Sequence, residues 1–209
     1  MGMEHYADQN SARMRGSLAG GLMADHSAYG ETIYAGTLCV PRLSGTVDRL
    51  PLTVPGRLVN ELPSGTTIAV RGQVRSYNRH TETGSRLLLT VFAREVEPLC
   101  ELEADDLPQN EVLLVGSLCK PPVFRTTPFM REIADLLLAV NRAYRKADYI
   151  PCIAWGRAAR LAAELPVGCK VRLEGRLQSR VYTKTLSDGS ATERTAYELS
   201  CAALEPVNY

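Results

Sequence analysis

Apolar and polar residues alternate most regularly in the second half of the chain. Val112, Leu114, Gly116 and Leu118 occupy every other position, which predicts a strand with one packed face. Residues 133–144, IADLLLAVNRAY, place their leucines where a helix would also accept them, but their position within a repeat favours a strand. Tyr149 to Trp155 reads as a third strand. Ala158 to Leu165, rich in alanine and stopped by Pro166-Val-Gly168, reads as a short helix. Lys170 to Lys184 predicts a long fourth strand with Val171, Leu173, Gly175 and Leu177 on one side. The Asp-Gly pair within Leu186–Ser190 then predicts a turn back into a fifth strand, Thr195 to Leu204.

Three strands, a helix and two more strands describe a small closed barrel of the OB type, a five-stranded Greek-key barrel. The first half repeats its landmarks in order. GETIYAGTLCVP at 30–41 faces NEVLLVGSLCKP at 110–121, pairing Gly36 with Gly116, Leu38 with Leu118, Cys39 with Cys119 and Pro41 with Pro121. Asp48 to Pro51 faces Asp148 to Pro151, Gly56-Arg57 faces Gly156-Arg157, LPSG at 62–65 faces LPVG at 165–168, and Gly72 to Ser76 faces Gly175 to Ser179. In this alignment Gly36 to Asp48 spans 12 residues where Gly116 to Asp148 spans 32. The first copy is therefore expected to be an abbreviated barrel lacking a loop and its second strand.

The fold class expected is all-β, two OB-fold barrels in tandem. The domains are a flexible arm over residues 1–29, a degenerate barrel over 30–100, an acidic linker over 101–109 and a complete barrel over 110–207. A length of 209 residues suits two domains that each bury a core.

Composition changes this picture in only a few places. The net charge of +1 conceals an asymmetry: residues 1–107 hold 10 Lys/Arg against 13 Asp/Glu, and residues 108–209 hold 14 against 10. A positive second half points to an anionic partner. Six cysteines without a CxxC pair and three histidines argue against a metal site, and no cofactor is expected. Free thiols suit a reducing, cytosolic address. No apolar run approaches a membrane span, and no arrangement of nucleophile and base or paired carboxylates points to an enzyme.

With these stretches in view, residues 110–207 resemble the bacterial single-stranded DNA-binding protein family. The likeness rests on NEVLLVGSLCKPP, RTTP at 125–128, LAVNRAY at 138–144, YIPCIAWGR at 149–157 and VRLEGRLQSRVYTK at 171–184. It implies binding of single-stranded DNA in replication, recombination or repair, in the bacterial cytoplasm or nucleoid. It also implies bases stacked at four places, here Tyr144, Tyr149, Trp155 and Tyr182. The residues agree with it on physical grounds. Tyr149 and Trp155 lie on one face of a strand, and Arg176, Gln178, Arg180, Tyr182 and Lys184 alternate with apolar positions on another. Stacking platforms interleaved with positive charge suit an unpaired strand. On spacing alone the same residues would serve equally as cross-strand packing pairs. Lys120, Arg125, Arg142, Arg157, Arg180 and Lys184 are the cations expected along the path.

The first copy departs from the pattern, with Arg49 opposite Tyr149, Pro55 opposite Trp155 and no counterpart segment for Tyr144. Arg75, Tyr77 and Arg79 leave some strand contact open, but a structural or assembly role is favoured there. Members of the family assemble four barrels, which implies a homodimer of this two-barrel chain. The family's acidic, aromatic-tipped tail is not expected, since the sequence stops at Tyr209. The other reading is an OB-fold assembly or replication-accessory module with little DNA binding of its own.

Overall fold

The computed structural model describes residues 7–59, 62–81, 84–100, 109–185 and 189–207. All but the last residue of the expected acidic linker, and most of the turn expected at 186–190, lie outside them. Two rings of five strands close side by side. In the first, β1 (Gln9–Leu18) pairs with β3 (Glu31–Pro41), followed by β4 (Val47–Pro55), β6 (Gly84–Pro98) and β5 (Thr67–Thr81), which returns to β1. The second repeats this order with β7 (Asn110–Leu118), β9 (Glu132–Arg142), β10 (Lys146–Trp155), β12 (Ala191–Pro206) and β11 (Lys170–Thr185). Two short strands, β2 (Met23–Ala28) and β8 (Val123–Thr126), extend the sheet at its two ends. The all-β tandem-barrel architecture is as the sequence predicts, and residues 133–142 are strand rather than helix.

The first barrel has its full set of strands, which corrects two expectations. Residues 9–18 and 23–28 are strands and not a flexible arm, and no second strand is missing. The counterpart of β7 is β1, at a constant offset of 100 residues: Asn10 with Asn110, Gly16 with Gly116, Ser17 with Ser117, Leu18 with Leu118. The Gly-Thr-Leu-Cys of β3 imitates the Gly-Ser-Leu-Cys of β7 and drew the alignment 20 residues out of register. With β1 restored, Tyr144 also has a counterpart, Ser44. The real abbreviation is at the helix, where Gly56–Leu58 makes a single 3-10 turn and the second barrel has α1 (Gly156–Ala163).

Local chemistry explains why β1 and β7 behave alike. A side chain at Gly16 would sit 2.3 Å from the Cys39 carbonyl oxygen, and one at Gly116 would sit 2.4 Å from that of Ala139. The glycines permit the close crossing that shuts each ring. Asn10 Nδ2 donates to Val74 O and accepts at Oδ1 from Val74 N–H, at 2.7 and 2.8 Å. Asn110 does the same with Leu177, at 2.7 and 3.0 Å.

The barrels join through β1 and β7, which run antiparallel with Ala12 opposite Val112. Those two residues are each other's equivalents, so a pseudo-two-fold axis passes between them. Around it the contacts recur in pairs. Tyr149 N–H donates to Ser76 Oγ at 2.7 Å, and Arg49 N–H donates to Ser179 Oγ at 3.0 Å. Asp148, 1% exposed, accepts from Ser76 N–H at 2.9 Å and from Arg75 Nη1 at 2.8 Å. Asp48, equally buried, accepts from Ser179 N–H at 2.8 Å, Arg176 Nη1 at 3.2 Å and Arg42 Nε at 2.7 Å. The hydrogen bond to Asp48 pushes the Arg42 guanidinium pKa up, while burial pulls that of Arg176 down. Among the described residues no helix is long and apolar enough to cross a membrane.

Candidate nucleic-acid interface

The second barrel turns one face of β10, β9 and β8 outward. Alternation along β10 puts Tyr149, Pro151, Ile153 and Trp155 on that face, beside Ala139, Leu137, Asp135 and Ile133 of β9 in turn. Ile133, itself buried, in turn pairs with Arg125 of β8, so Trp155 and Arg125 flank it in one row across three strands. At the far end of the β9–β10 hairpin stands Tyr144. Its exposure is 93%, against 45% for Tyr149, 37% for Trp155 and 36% for Tyr182. All four expected platforms are thus at the surface, and none is core.

Each platform is held differently. Trp155 donates its indole N–H to Ser200 Oγ of β12 at 3.1 Å, which fixes the ring's tilt. Tyr149 is set by its backbone bond to Ser76 of the other barrel. Tyr182 lies on the outer arm of β11, and the Arg180 guanidinium sits 5.7 Å from its ring centroid, covering one of its two faces. Tyr144 and Arg145 form the β9–β10 turn with φ of +62° and +54°. That left-handed backbone disfavours both residues and leaves Tyr144 in solvent.

The expected cations divide into two groups. Lys120, Arg157 and Lys184 are exposed and have no ion-pair partner among the described residues. Arg125, Arg142 and Arg180 each face a carboxylate: Arg125 Nε lies 2.7 Å from Asp135, Arg142 Nε lies 3.8 Å from Asp148, and Arg180 Nε lies 3.7 Å from Glu198. The bond to Asp135 raises the Arg125 pKa. Half of the expected cations are therefore internally compensated, and the other half carry free positive charge. The partner acids Asp135 and Glu198 were not legible from spacing, because pairing across strands brings them in.

The fourth-strand face is shorter than the sequence implies. Arg176 is drawn to Asp48, and buried Gln178 donates to Glu198 at 2.8 Å, so both belong to the junction or its border. The outward stripe of β11 starts at Arg180. Tyr197 of β12 is a residue the sequence did not single out. It is partly buried at the junction near Arg49 and Arg86, and burial raises its phenol pKa. On the first barrel Arg75 is committed to Asp148, whereas Tyr77, Arg79 and Arg49 are exposed.

Comparison with known proteins bears on the family and the fold. Residues 109–207 match the profile of the single-strand binding protein family. The chain is 40% identical over 110 residues to single-stranded DNA-binding protein 2 of Listeria innocua, covering 48% of this chain and 67% of that protein. It is 42% identical over 80 residues to single-stranded DNA-binding protein A of Bacillus subtilis, covering 35% of this chain and 46% of that one. The chain thus spans two thirds of the first relative and about half of the second. The crystal structure of the wild-type single-stranded DNA binding protein from Thermus aquaticus shares the fold over 98% of this chain and 95% of that one. The TM-score is 0.74 at 22% identity.

Proposed function

The chain belongs to the single-strand binding protein family, and from that premise we propose that its second barrel binds single-stranded DNA by base stacking and phosphate neutralisation, without strong sequence preference. The observation that carries this reading is the outward row of Tyr149 and Trp155, with Tyr144 at one end, Tyr182 on the adjoining arm and Lys120, Arg157 and Lys184 exposed. Every base has a π face, so each platform contributes on the order of 1–3 kcal/mol whatever the sequence. Arg125, Arg142 and Arg180 join the path by exchanging a carboxylate for a phosphate. The natural setting is replication, recombination or repair in the bacterial cytoplasm. The first barrel acts as scaffold, and two chains associate to bring four barrels together.

A second reading has its own observation. With half of the expected cations already paired, the face offers modest electrostatic attraction, as an assembly module would. Titration with oligo-dT separates the two, because Trp155 is the chain's single tryptophan. Strong quenching at low salt supports strand binding, as does oligonucleotide affinity lowered by about 1–3 kcal/mol in Trp155→Ala and in Tyr182→Ala with folding intact, read by anisotropy of a labelled strand because the first variant has no tryptophan. Unchanged emission with no shift of the oligonucleotide supports the assembly module.

A further inference from the structure

The β8–β9 hairpin ends in a turn that spends two large apolar side chains on solvent. Met130 N–H donates to Thr127 O at 2.9 Å, closing a turn over Pro128 and Phe129. Phe129 is 88% exposed and Met130 is 83% exposed. Met130 has φ of +58°, a left-handed conformation that glycine adopts freely and methionine does not. The corresponding hairpin of the first barrel turns through Tyr29-Gly30, at φ of +53° and +77°; it too exposes an aromatic at the first position, but it has glycine where the second barrel has Met130. Nothing in the fold explains why the second barrel has methionine there.

The surroundings supply the explanation. Met130 and Trp155 line one open groove of about 540 Å³, together with Arg131, Glu132 and Arg160. Glu132 is paired with Arg160, and Arg131 is exposed with no ion-pair partner among the described residues, so the groove keeps a free cation. Trp155 also stands in the row that it and Arg125 form across buried Ile133, so the groove and the platform face share that ring. The opposite end of β9 repeats the device. There Tyr144 and Arg145 occupy left-handed positions where the first barrel has Gly45 at +81°. In both hairpins the second barrel has traded a turn glycine for a large side chain beside an aromatic platform.

We propose that the Phe129-Met130 tip is a further binding position for the DNA strand, holding a base in the groove between Met130 and Trp155 while Arg131 meets its phosphate. The polarizable thioether supplies a soft contact to a π face, and Phe129 a second stacking surface. This extends the path beyond Trp155 at the end of the sheet opposite Tyr144, and it rests on the strand-binding reading above.

The test uses the full chain and fluorescently labelled oligo-dT, followed by anisotropy so that the readout does not depend on Trp155. Phe129→Ala and Met130→Gly are each expected to raise Kd about fivefold or more. The slope of log Kd against log salt stays as in the wild type, since neither residue is charged. Met130→Gly also keeps or raises the melting temperature, which separates a lost contact from a damaged barrel. Kd within twofold of wild type for both variants, alongside clear weakening in Trp155→Ala, overturns the tip as a binding position and leaves strand binding standing. Failure of the wild-type chain to bind at low salt overturns the strand-binding reading itself.

Discussion

At two turn positions the second barrel keeps left-handed backbone on a large side chain where the first barrel has glycine. Met130 and Arg145 replace the glycines Gly30 and Gly45 of the first barrel at equivalent turns. A left-handed L-residue costs roughly 1–2 kcal/mol, so Met130→Gly and Arg145→Gly are each expected to stabilise the chain by about 1 kcal/mol in urea unfolding, less whatever entropy glycine returns to the unfolded state. Two variants that lose stability instead would show that these side chains pack. The cysteines are the contrary case. Cys152 is fully buried, and burial pushes its thiol pKa well up, so it behaves as a small apolar core residue beside Cys201.

At the scale of elements, two buried carboxylates tie the barrels together at the junction. Asp148→Ala would strand Arg75 and the Ser76 N–H inside the junction, an expected loss of about 3–5 kcal/mol in denaturant unfolding, whereas Asp148→Asn, which keeps one acceptor, should lose less. Much of this architecture was legible in sequence. Alternation gave β7 and β11, and the alanine-rich run with its Pro-Val-Gly stop gave α1. The shared Asp48 and Asp148 were visible as repeat landmarks, but only the pairing of strands shows that they bind the opposite barrel. β1 was missed for a physical reason: its inward residues are Ala12, Met14, Gly16 and Leu18, small or flexible, and Arg13 and Arg15 stand outward, so the segment reads as polar coil. The exposure of the four aromatics was readable, whereas the acids that neutralise half of the expected cations were not, since Asp135 and Glu198 reach them only across strands.

For the whole molecule the division of charge sets a measurable bound. If only Lys120, Arg157 and Lys184 meet phosphates, log K should fall with log salt at a slope of about −2; if all six cations exchange partners, the slope approaches about −4. A slope near zero would remove phosphate tracking altogether. The pseudo-two-fold axis between Ala12 and Val112 has a different kind of consequence. Between separate single-barrel chains, a strand-to-strand contact of this sort weakens on dilution, because its partner must be found in solution. With both strands in one chain, each barrel meets the other at a concentration fixed by their connection, however dilute the protein becomes. The two halves are also released from having to match. Asp48 is answered by Arg42 and Arg176, and Asp148 by Arg75 with Arg142 farther off, an inequality that a true symmetry axis would forbid.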